Sequence, residues 1–591
     1  MLATQLSEKV GAVFESLGLD KSLGIVGNSD RPDLSDFQCN GAMQAARILK
    51  RRPLDIAKEM LPALQAIDIF SQVTVDGPGF INFILSDRYI LNALQGDKDA
   101  NEPKQPPQKI VIDYGGPNVA KPLHVGHLRS AIIGESLKRI ARELNHHVIS
   151  DIHMGDWGTP MGMLIAQLSD DHPEWPFFSD KFTETSAASR PDLSAEDLNN
   201  LYPVAAKHFK EDIAFADKAR EATAKLQAGH AGYRKLWRHF VDTSIESIKK
   251  DFGALDVSFD LWLGESDADA ISHKVVQNLI AQGVAKESQG ALVVEVAQPE
   301  DKFEVPPLIL RKKDGAATYA TTDLGTIAQR VEDIKPDKIW YVVDQRQSLH
   351  FKQVFRAAAK GCLIKEGSLE HIGFGTVNGK DGKPFKTRDG GVMRLGDLIQ
   401  NSIELALKEA GFENEQVDEA TKEMISMVAI AAIKFGDLSN LRTTDYIFDP
   451  KEFVRFDGKT GPYVQYAAVR AGAILEKASA NSFVGNPQIE AFTNKTERGL
   501  ALSLLRFPEA LQRAFDKRMP SDLCEYAFDL AQRFNGFYRD CAILSETDPN
   551  IRDFRLFLTD QTATTLKKTL ECLAIPVPRK MLRAPKMEPS I

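Results

Sequence analysis

The sequence predicts an α/β protein extended by helices: a doubly wound parallel sheet with a helical insertion, preceded by a small α+β domain and followed by a helical bundle. Three observations carry that expectation. An apolar run, Ile110 to Tyr114, leads through a glycine-bearing turn into a strongly periodic helix, Leu128 to Leu144. Short apolar runs return at His147 to Asp151 and after residue 300, separated by long helical stretches. A parallel sheet needs that alternation, because its crossovers are usually helices. From Leu395 onward the pattern is helical almost without a break.

In chain order, residues up to about Leu85 read as helices and then a hairpin. Val73 and Val75 alternate, Gly77-Pro78-Gly79 turns the chain, and Ile81, Phe83 and Leu85 alternate again. Gln95 to Gln108 is polar and proline-bearing and reads as a linker. In the helix after the first strand, Leu128, Ile132, Ile133, Leu137, Ile140, Ala141 and Leu144 share one face. Arg129, Glu135, Lys138, Arg139 and Arg142 fall on the other, which reads as the polar side. The charged stretch from Asp170 to Asp256 reads as a helical insertion between two halves of the sheet. The second half is expected to take strands from Leu308-Ile309-Leu310, Ile339 to Val343 and His371 to Val377. Helices are expected at Leu395 to Ala410, Glu415 to Phe435, Tyr463 to Ala478, Arg498 to Phe515, Ser521 to Cys541 and Phe554 to Leu573. The expected divisions are 1–100, 101–390 with the insertion at about 170–256, 391–450, and 451–591.

Composition bounds the function. A chain of 591 residues exceeds one hydrophobic core, and 43% hydrophobic residues suffice for several. No apolar run is long enough to span a bilayer, and the acidic, helically periodic start is unlike a secretory signal. Cys39, Cys362, Cys524, Cys541 and Cys572 form no C-x-x-C pair, so neither a zinc site nor a disulfide framework is expected and no metal ligand is assigned. A reducing cytoplasm fits. The net charge of -9 argues against non-specific nucleic-acid binding but is compatible with a local basic face for RNA.

The chemistry concentrates in Pro117 to His127, between the first strand and its helix. A helix N-terminus presents free N–H groups and about half a positive charge, a place for phosphate. His124 and His127 are three residues apart, so their side chains share a face of the first turn. Gly126 between them, lacking Cβ, lets a flat ring lie against the backbone. Lys121 adds a cation. The set suits a nucleoside triphosphate attacked at one phosphate, with the histidines as hydrogen-bond donors to developing charge.

The segment PNVAKPLHVGHLRS resembles the HIGH signature of class I aminoacyl-tRNA synthetases in its arginyl-tRNA synthetase form. The likeness continues through HMGDWGTP, TYATTDLG, GKDGKPFKTRDGG, LRTTDYIFD and TGPYVQYAAVR, and before them through LSDFQCNGA and DGPGFINF. It implies a Rossmann-like catalytic domain at 101–390, a helical connecting region, a C-terminal anticodon-binding domain and an N-terminal domain touching the tRNA corner. It also implies ATP with Mg2+ as a substrate complex, L-arginine and tRNA(Arg) as partners, no tightly bound cofactor, no membrane association, and a cytoplasmic monomer.

By the same resemblance His124, His127, Lys121 and Lys386 are catalytic. Val125, Gly126, Lys121, Lys383, Thr387 and Arg388 contact ATP. The lysine-bearing loop departs from the family's KMSKS pattern, reading Lys383-Pro-Phe-Lys386-Thr387-Arg388, and arginyl-type enzymes that share this departure carry a lysine where Lys121 stands. Asp113, Asn118, Tyr319, Asp323 and Gln347 are implied to hold arginine, whose planar guanidinium suits carboxylate forks. Gly115-Gly116 and Pro160 stand where the family more often has serine-like residues and glutamine. Tyr463, Tyr466, Arg470 and Arg533, with Phe537 and Tyr538, are candidate tRNA-contacting groups, although aromatics at helical spacing are more often core.

Three rivals remain at this stage: another nucleotidyltransferase with a small product, a non-catalytic RNA-binding relative, and another class I specificity. The long helical C-terminal part, the retained histidines and lysine, and the acidic candidates Asp113 and Asp323 each weigh against one of them.

Overall fold

A computed structural model of the chain describes residues 2–31, 33–96, 106–183, 191–313, 315–379, 381–383, 393–412, 417–480 and 489–581. The chain forms two compact units, one of residues 106–454 with 572–576, the other of 1–105, 455–571 and 577–591.

The first unit is built on a parallel sheet in the order Leu369–His371, Lys338–Tyr341, Lys109–Asp113, His147–Asp151. Ile110, Val111 and Ile112 are fully buried, as a strand covered on both faces requires. The first strand in the chain is central. Its helix, Val125–Glu143, leads to the neighbour on one side, whereas the neighbour on the other side arrives much later in the sequence. Such a reversal opens a crevice at the carboxyl ends of the central strands. Asp113, Asp151 and Tyr341 stand in register there, at the ends of three adjacent strands.

The insertion supplies Ala195–Glu211, Ile213–Gln227 and Ala231–Ala254, which pack with Thr159–Asp171. Leu198, Leu226, Leu236, Trp237 and Phe240 form its core together with Val119 and Ala120 of the signature segment. Pro160 sits in the first turn of Thr159–Asp171, where its missing N–H costs no helical hydrogen bond.

Three expectations need correction. Leu308–Arg311 is not in the parallel sheet but in a separate antiparallel one with Ala285–Ser288 and Ala291–Val294. Its burial alternates, with Leu308 and Leu310 inside and Ile309 exposed, the mark of a strand covered on one face. The stretch expected as one strand, His371 to Val377, divides: Leu369–His371 is an edge of the parallel sheet, and Val377–Asn378 pairs with Tyr446–Ile447. The charged side of Val125–Glu143 is not a solvated face. Arg129, Glu135 and Lys138 are at most 2% exposed. Glu135 pairs with Lys138 and Arg139, each at 2.7 Å, and Arg129 pairs with Asp437 of helix Glu419–Leu438 at 3.2 Å. The helix is covered on both sides, so its charges meet partners instead of water.

A late stretch, Cys572–Pro576, belongs to this unit. Ser136 Oγ donates to the Cys572 carbonyl at 3.0 Å, and the buried Lys434 ammonium donates to the Ala574 carbonyl. Burial pushes the Lys434 amine down to about 7.

In the second unit, an antiparallel sheet runs Val26–Asn28, Phe37–Cys39, Phe80–Leu85, Phe70–Asp76, with the expected hairpin at its edge. Residues 97–105 of the expected linker lie outside the described residues. Its N-terminal part carries helices Leu2–Ser16, Gly41–Leu49, Pro53–Gln65 and Asp87–Gln95, and its C-terminal part Gly461–Ala480, Lys495–Leu505, Phe507–Lys517, Pro520–Asp540 and Pro549–Cys572. The helix expected from Arg498 to Phe515 is broken at Arg506, because Pro508 has no N–H to continue the ladder. Arg498 joins the two parts of this unit, pairing with Asp36 at 2.7 Å and Asp87 at 3.0 Å.

Candidate active site

The two signature histidines cap the helix they begin. His124 is the N-cap residue; its Nδ1 accepts the Gly126 N–H at 3.0 Å, and His127 Nδ1 accepts the His124 N–H at 3.1 Å. A neutral imidazole whose Nδ1 accepts carries its proton on Nε2. Both rings are therefore fixed as Nε2–H donors, 4.0 Å apart between centroids. A Cβ on Gly126 would come within 2.7 Å of the His124 ring, so glycine is required there. Burial lowers His124 and pushes His127 down to about 3, and Lys121 opposes protonation of each. Both are neutral donors at pH 7.

The backbone amides are less available than the sequence suggests. Val125 N–H donates to the Met393 carbonyl at 3.1 Å, and Gly126 N–H is taken by His124. Donation at this helix start falls to the rings. Both histidines line a cavity of about 400 Å³ at the switch point, whose wall also carries Asp113, Gly115-Gly116, Asp344 and Gln347. Gly115 and Gly116 have φ of +90° and +46°, backbone that serine-like residues rarely adopt. Gly115 N–H donates to Ser130 Oγ at 2.8 Å, which donates in turn to the Val342 carbonyl at 2.7 Å.

The residues assigned to arginine separate. Asp113 already holds a guanidinium: Arg330 Nη2 lies 2.6 Å from Asp113 and 2.7 Å from Asp151. Asp113 is thus a wall residue that already shares a cation of the protein with Asp151, and Gln347 is exposed on the same cavity. Tyr319 and Asp323 are together on the helix Tyr319–Asp333, as their spacing predicts, and do not line that cavity. Tyr319 is 71% exposed. Asp323 accepts from His350 Nε2 at 2.6 Å, which raises His350. Asn118 forms a β-bridge with Gly155, the residue before Asp156.

Sequence reasoning missed the partners here. Glu265 is pushed up to about 7 by burial, then by the negative charges of Asp156 and Asp323. Asp156 accepts from Ser266 N at 2.9 Å and Ser266 Oγ at 2.5 Å. Asp156 lies in the GDWG run without being singled out there, and nothing local marks Glu265, His350 or Arg330. Lys121 is not on the cavity wall; its ammonium lies 4.4 Å from the ring centre of Tyr202 in the insertion.

Lys383 is described, its carbonyl accepting the Gly379 N–H at 2.8 Å. Lys386, Thr387 and Arg388 lie outside the described residues. In the other unit, Arg470 is sandwiched between Tyr466 at 4.6 Å and Tyr538 at 5.0 Å. It donates to Asn535, whose amide donates to Tyr463 Oη at 2.9 Å. Arg533 is tied to Asp529 at 2.8 Å. Phe537 is fully buried and is a core residue, so it presents no stacking surface.

The chain is similar to known proteins along nearly its whole length. Residues 89–450 match the model for tRNA synthetases class I (R), catalytic domain, residues 464–581 the DALR anticodon binding domain, and residues 1–85 the arginyl tRNA synthetase N terminal domain. The arginine–tRNA ligases of Alkaliphilus oremlandii and Hyphomonas neptunium are each 46% identical, over 98% of this chain and 100% of their own. Among solved structures, arginyl-tRNA synthetase from Plasmodium falciparum superposes with a TM-score of 0.79 at 26% identity, covering 98% of both chains. The Thermus thermophilus arginyl-tRNA synthetase shares the fold at a TM-score of 0.79 and 23% identity, over 98% of this chain and 100% of that one. With its catalytic, anticodon-binding and N-terminal regions all matched, the chain belongs to the arginyl-tRNA synthetases of class I.

Proposed function

We propose that this chain, an arginine–tRNA ligase by family, activates L-arginine with ATP at the cavity under His124 and His127 and passes it to the terminal ribose of tRNA(Arg). The arginine carboxylate attacks the α-phosphate and pyrophosphate leaves. No covalent enzyme intermediate is needed, so the protein aligns the reactants and stabilises charge. One observation carries the reading: two neutral histidines, each with Nδ1 engaged by backbone, keep Nε2–H for a ligand in the cavity.

ATP enters as its Mg2+ complex, the ion travelling with the phosphates. Lys121 and the loop residues Lys383, Lys386, Thr387 and Arg388 supply further cationic and hydroxyl donors. The guanidinium of arginine is drawn to Asp323 with Glu265 beside it, Tyr319 lies against it, and Asn118 takes the α-amino end. Asp113 and Gln347 border the cavity that the two histidines line. Residues 1–100 and 451–591 hold tRNA, and the sandwich Tyr466–Arg470–Tyr538 is a suitable stacking platform for a splayed base. The enzyme acts as a cytoplasmic monomer.

Pyrophosphate exchange with each amino acid, with and without tRNA, tests the reading; arginine alone is expected to support it. His124→Ala and His127→Ala are each expected to lower exchange about 10²–10³-fold, the usual effect of removing one donor to developing charge, with arginine binding retained. Near-normal exchange in both variants would remove the phosphate assignment.

A further inference from the structure

The helical insertion is tied to the signature at three places. Val119 and Ala120 are buried in the insertion core, against side chains such as Leu198, Leu226 and Phe240. The Ala120 N–H donates to Ser244 Oγ of helix Ala231–Ala254 at 2.9 Å. Lys121 Nζ stands 4.4 Å from the ring centre of Tyr202 of helix Ala195–Glu211. Ala120 has φ of +61°, a conformation a non-glycine residue holds only when its surroundings impose it. Lys121 follows this turn, and the ring its ammonium meets, Tyr202, is itself packed against the insertion core.

We propose that the insertion is a positioning device for Lys121, with Tyr202 holding the ammonium and Ser244 fixing the backbone that presents it. The inference rests on the proposed role of Lys121 in activation. A lysine side chain has four rotatable bonds and loses much of its freedom when it must meet a phosphate at one place. An aromatic face within about 6 Å attracts the cation without neutralising it. A carboxylate in the same position would cancel the charge and repel the phosphates. The ring therefore restricts the lysine while leaving its full charge for the nucleotide. Lys121 already influences both histidines, opposing their protonation, so the held ammonium lies within electrostatic reach of the donors it would join. Tyr202 and Ser244 act through Lys121 and are positioning residues.

The full-length enzyme with ATP, arginine and tRNA tests this by pyrophosphate exchange. Tyr202→Phe, which keeps the aromatic face, is expected to retain kcat within about twofold. Tyr202→Leu, similar in apolar bulk but without a π face, is expected to lose about tenfold in kcat with the KM for arginine unchanged. Ser244→Ala reaches the same segment from another helix, without touching Tyr202, and is expected to lose a few-fold in kcat. In a Lys121→Ala background neither Tyr202→Leu nor Ser244→Ala should lower activity further. Equal losses for Phe and Leu at position 202, or losses that persist fully without Lys121, would make both residues packing elements and overturn the proposal. Normal exchange in Lys121→Ala alone would overturn the role of Lys121 itself, and the positioning of it with that role.

Discussion

Two sets of carboxylates stand near the crevice of the catalytic unit, and they are balanced in opposite ways. Asp113 and Asp151, at the ends of adjacent parallel strands, share the single guanidinium of Arg330, which is 2% exposed. Among the described residues, Asp323, Asp156 and Glu265 share no such guanidinium or ammonium. Asp323 has His350, Asp156 has the donors of Ser266, and Glu265 rises to about 7 through burial and then the neighbouring charges of Asp156 and Asp323. The first set is an internal ion pair that holds the strand ends and a helix together. The second is short of positive charge, the electrostatic state suited to a guanidinium arriving from outside. Acidic residues near a site do not by themselves mark a pocket for a cation; what decides is whether the protein has already supplied one.

Breaking the first set should produce the largest effect. Arg330→Met leaves two buried carboxylates without their cation and is expected to cost about 3–5 kcal/mol of stability. All five tryptophans, Trp157, Trp175, Trp237, Trp262 and Trp340, lie in this unit, so fluorescence during urea unfolding reports on it. A change below about 1 kcal/mol would mean the pair is not structural. Asp323→Asn should scarcely alter unfolding but weaken the preference for arginine over uncharged citrulline. A charge-assisted hydrogen bond contributes about 1.5–3 kcal/mol, so the ratio of kcat/KM values should fall roughly 10- to 100-fold. An unchanged ratio would move Asp323 out of the arginine site.

The smallest effect is a pH dependence. Glu265 has its folded value raised from 4.5 to about 7, so the stability it contributes is present below about 4.5 and lost as pH rises through 7. A guanidinium beside it favours the ionised form, so arginine binding should release a proton near neutrality. The KM for arginine is then expected to fall several-fold between pH 6 and 8 and level off above, and Glu265→Gln should flatten the profile. A flat profile in the parent enzyme would separate Glu265 from the arginine site.

Much of this could be read from the chain. Ile110 to Tyr114, the helix behind the histidines and His147 to Asp151 are legible because buried parallel strands form continuous apolar runs and the helix repeats strongly. Gly126 is legible because its role is local, a ring lying on its own backbone. What escaped was set by distant partners. Arg129, Glu135 and Lys138 look solvated on a helical wheel, and only the segments packed over them show otherwise. Asp113 and Asp323 look alike in sequence; what distinguishes them is Arg330, which reaches Asp113 from the helix that also carries Asp323, and His350, which reaches Asp323 from the next helix. Leu308-Ile309-Leu310 reads as a strand covered on both faces because all three residues are apolar; that Ile309 faces outward is seen only in the fold.

The return of Cys572–Pro576 into the catalytic unit bears on how the molecule is made. On the ribosome, residues 106–454 emerge long before this stretch, and residues 455–571 must be synthesised in between. Until then the Lys434 ammonium lacks the Ala574 carbonyl, and Ser136, on the helix that the two histidines begin, lacks the Cys572 carbonyl. The nascent enzyme therefore waits for its late-made residues before the helix under its active site has all of its neighbours, and a fragment stopped at Val454 stays in that waiting state.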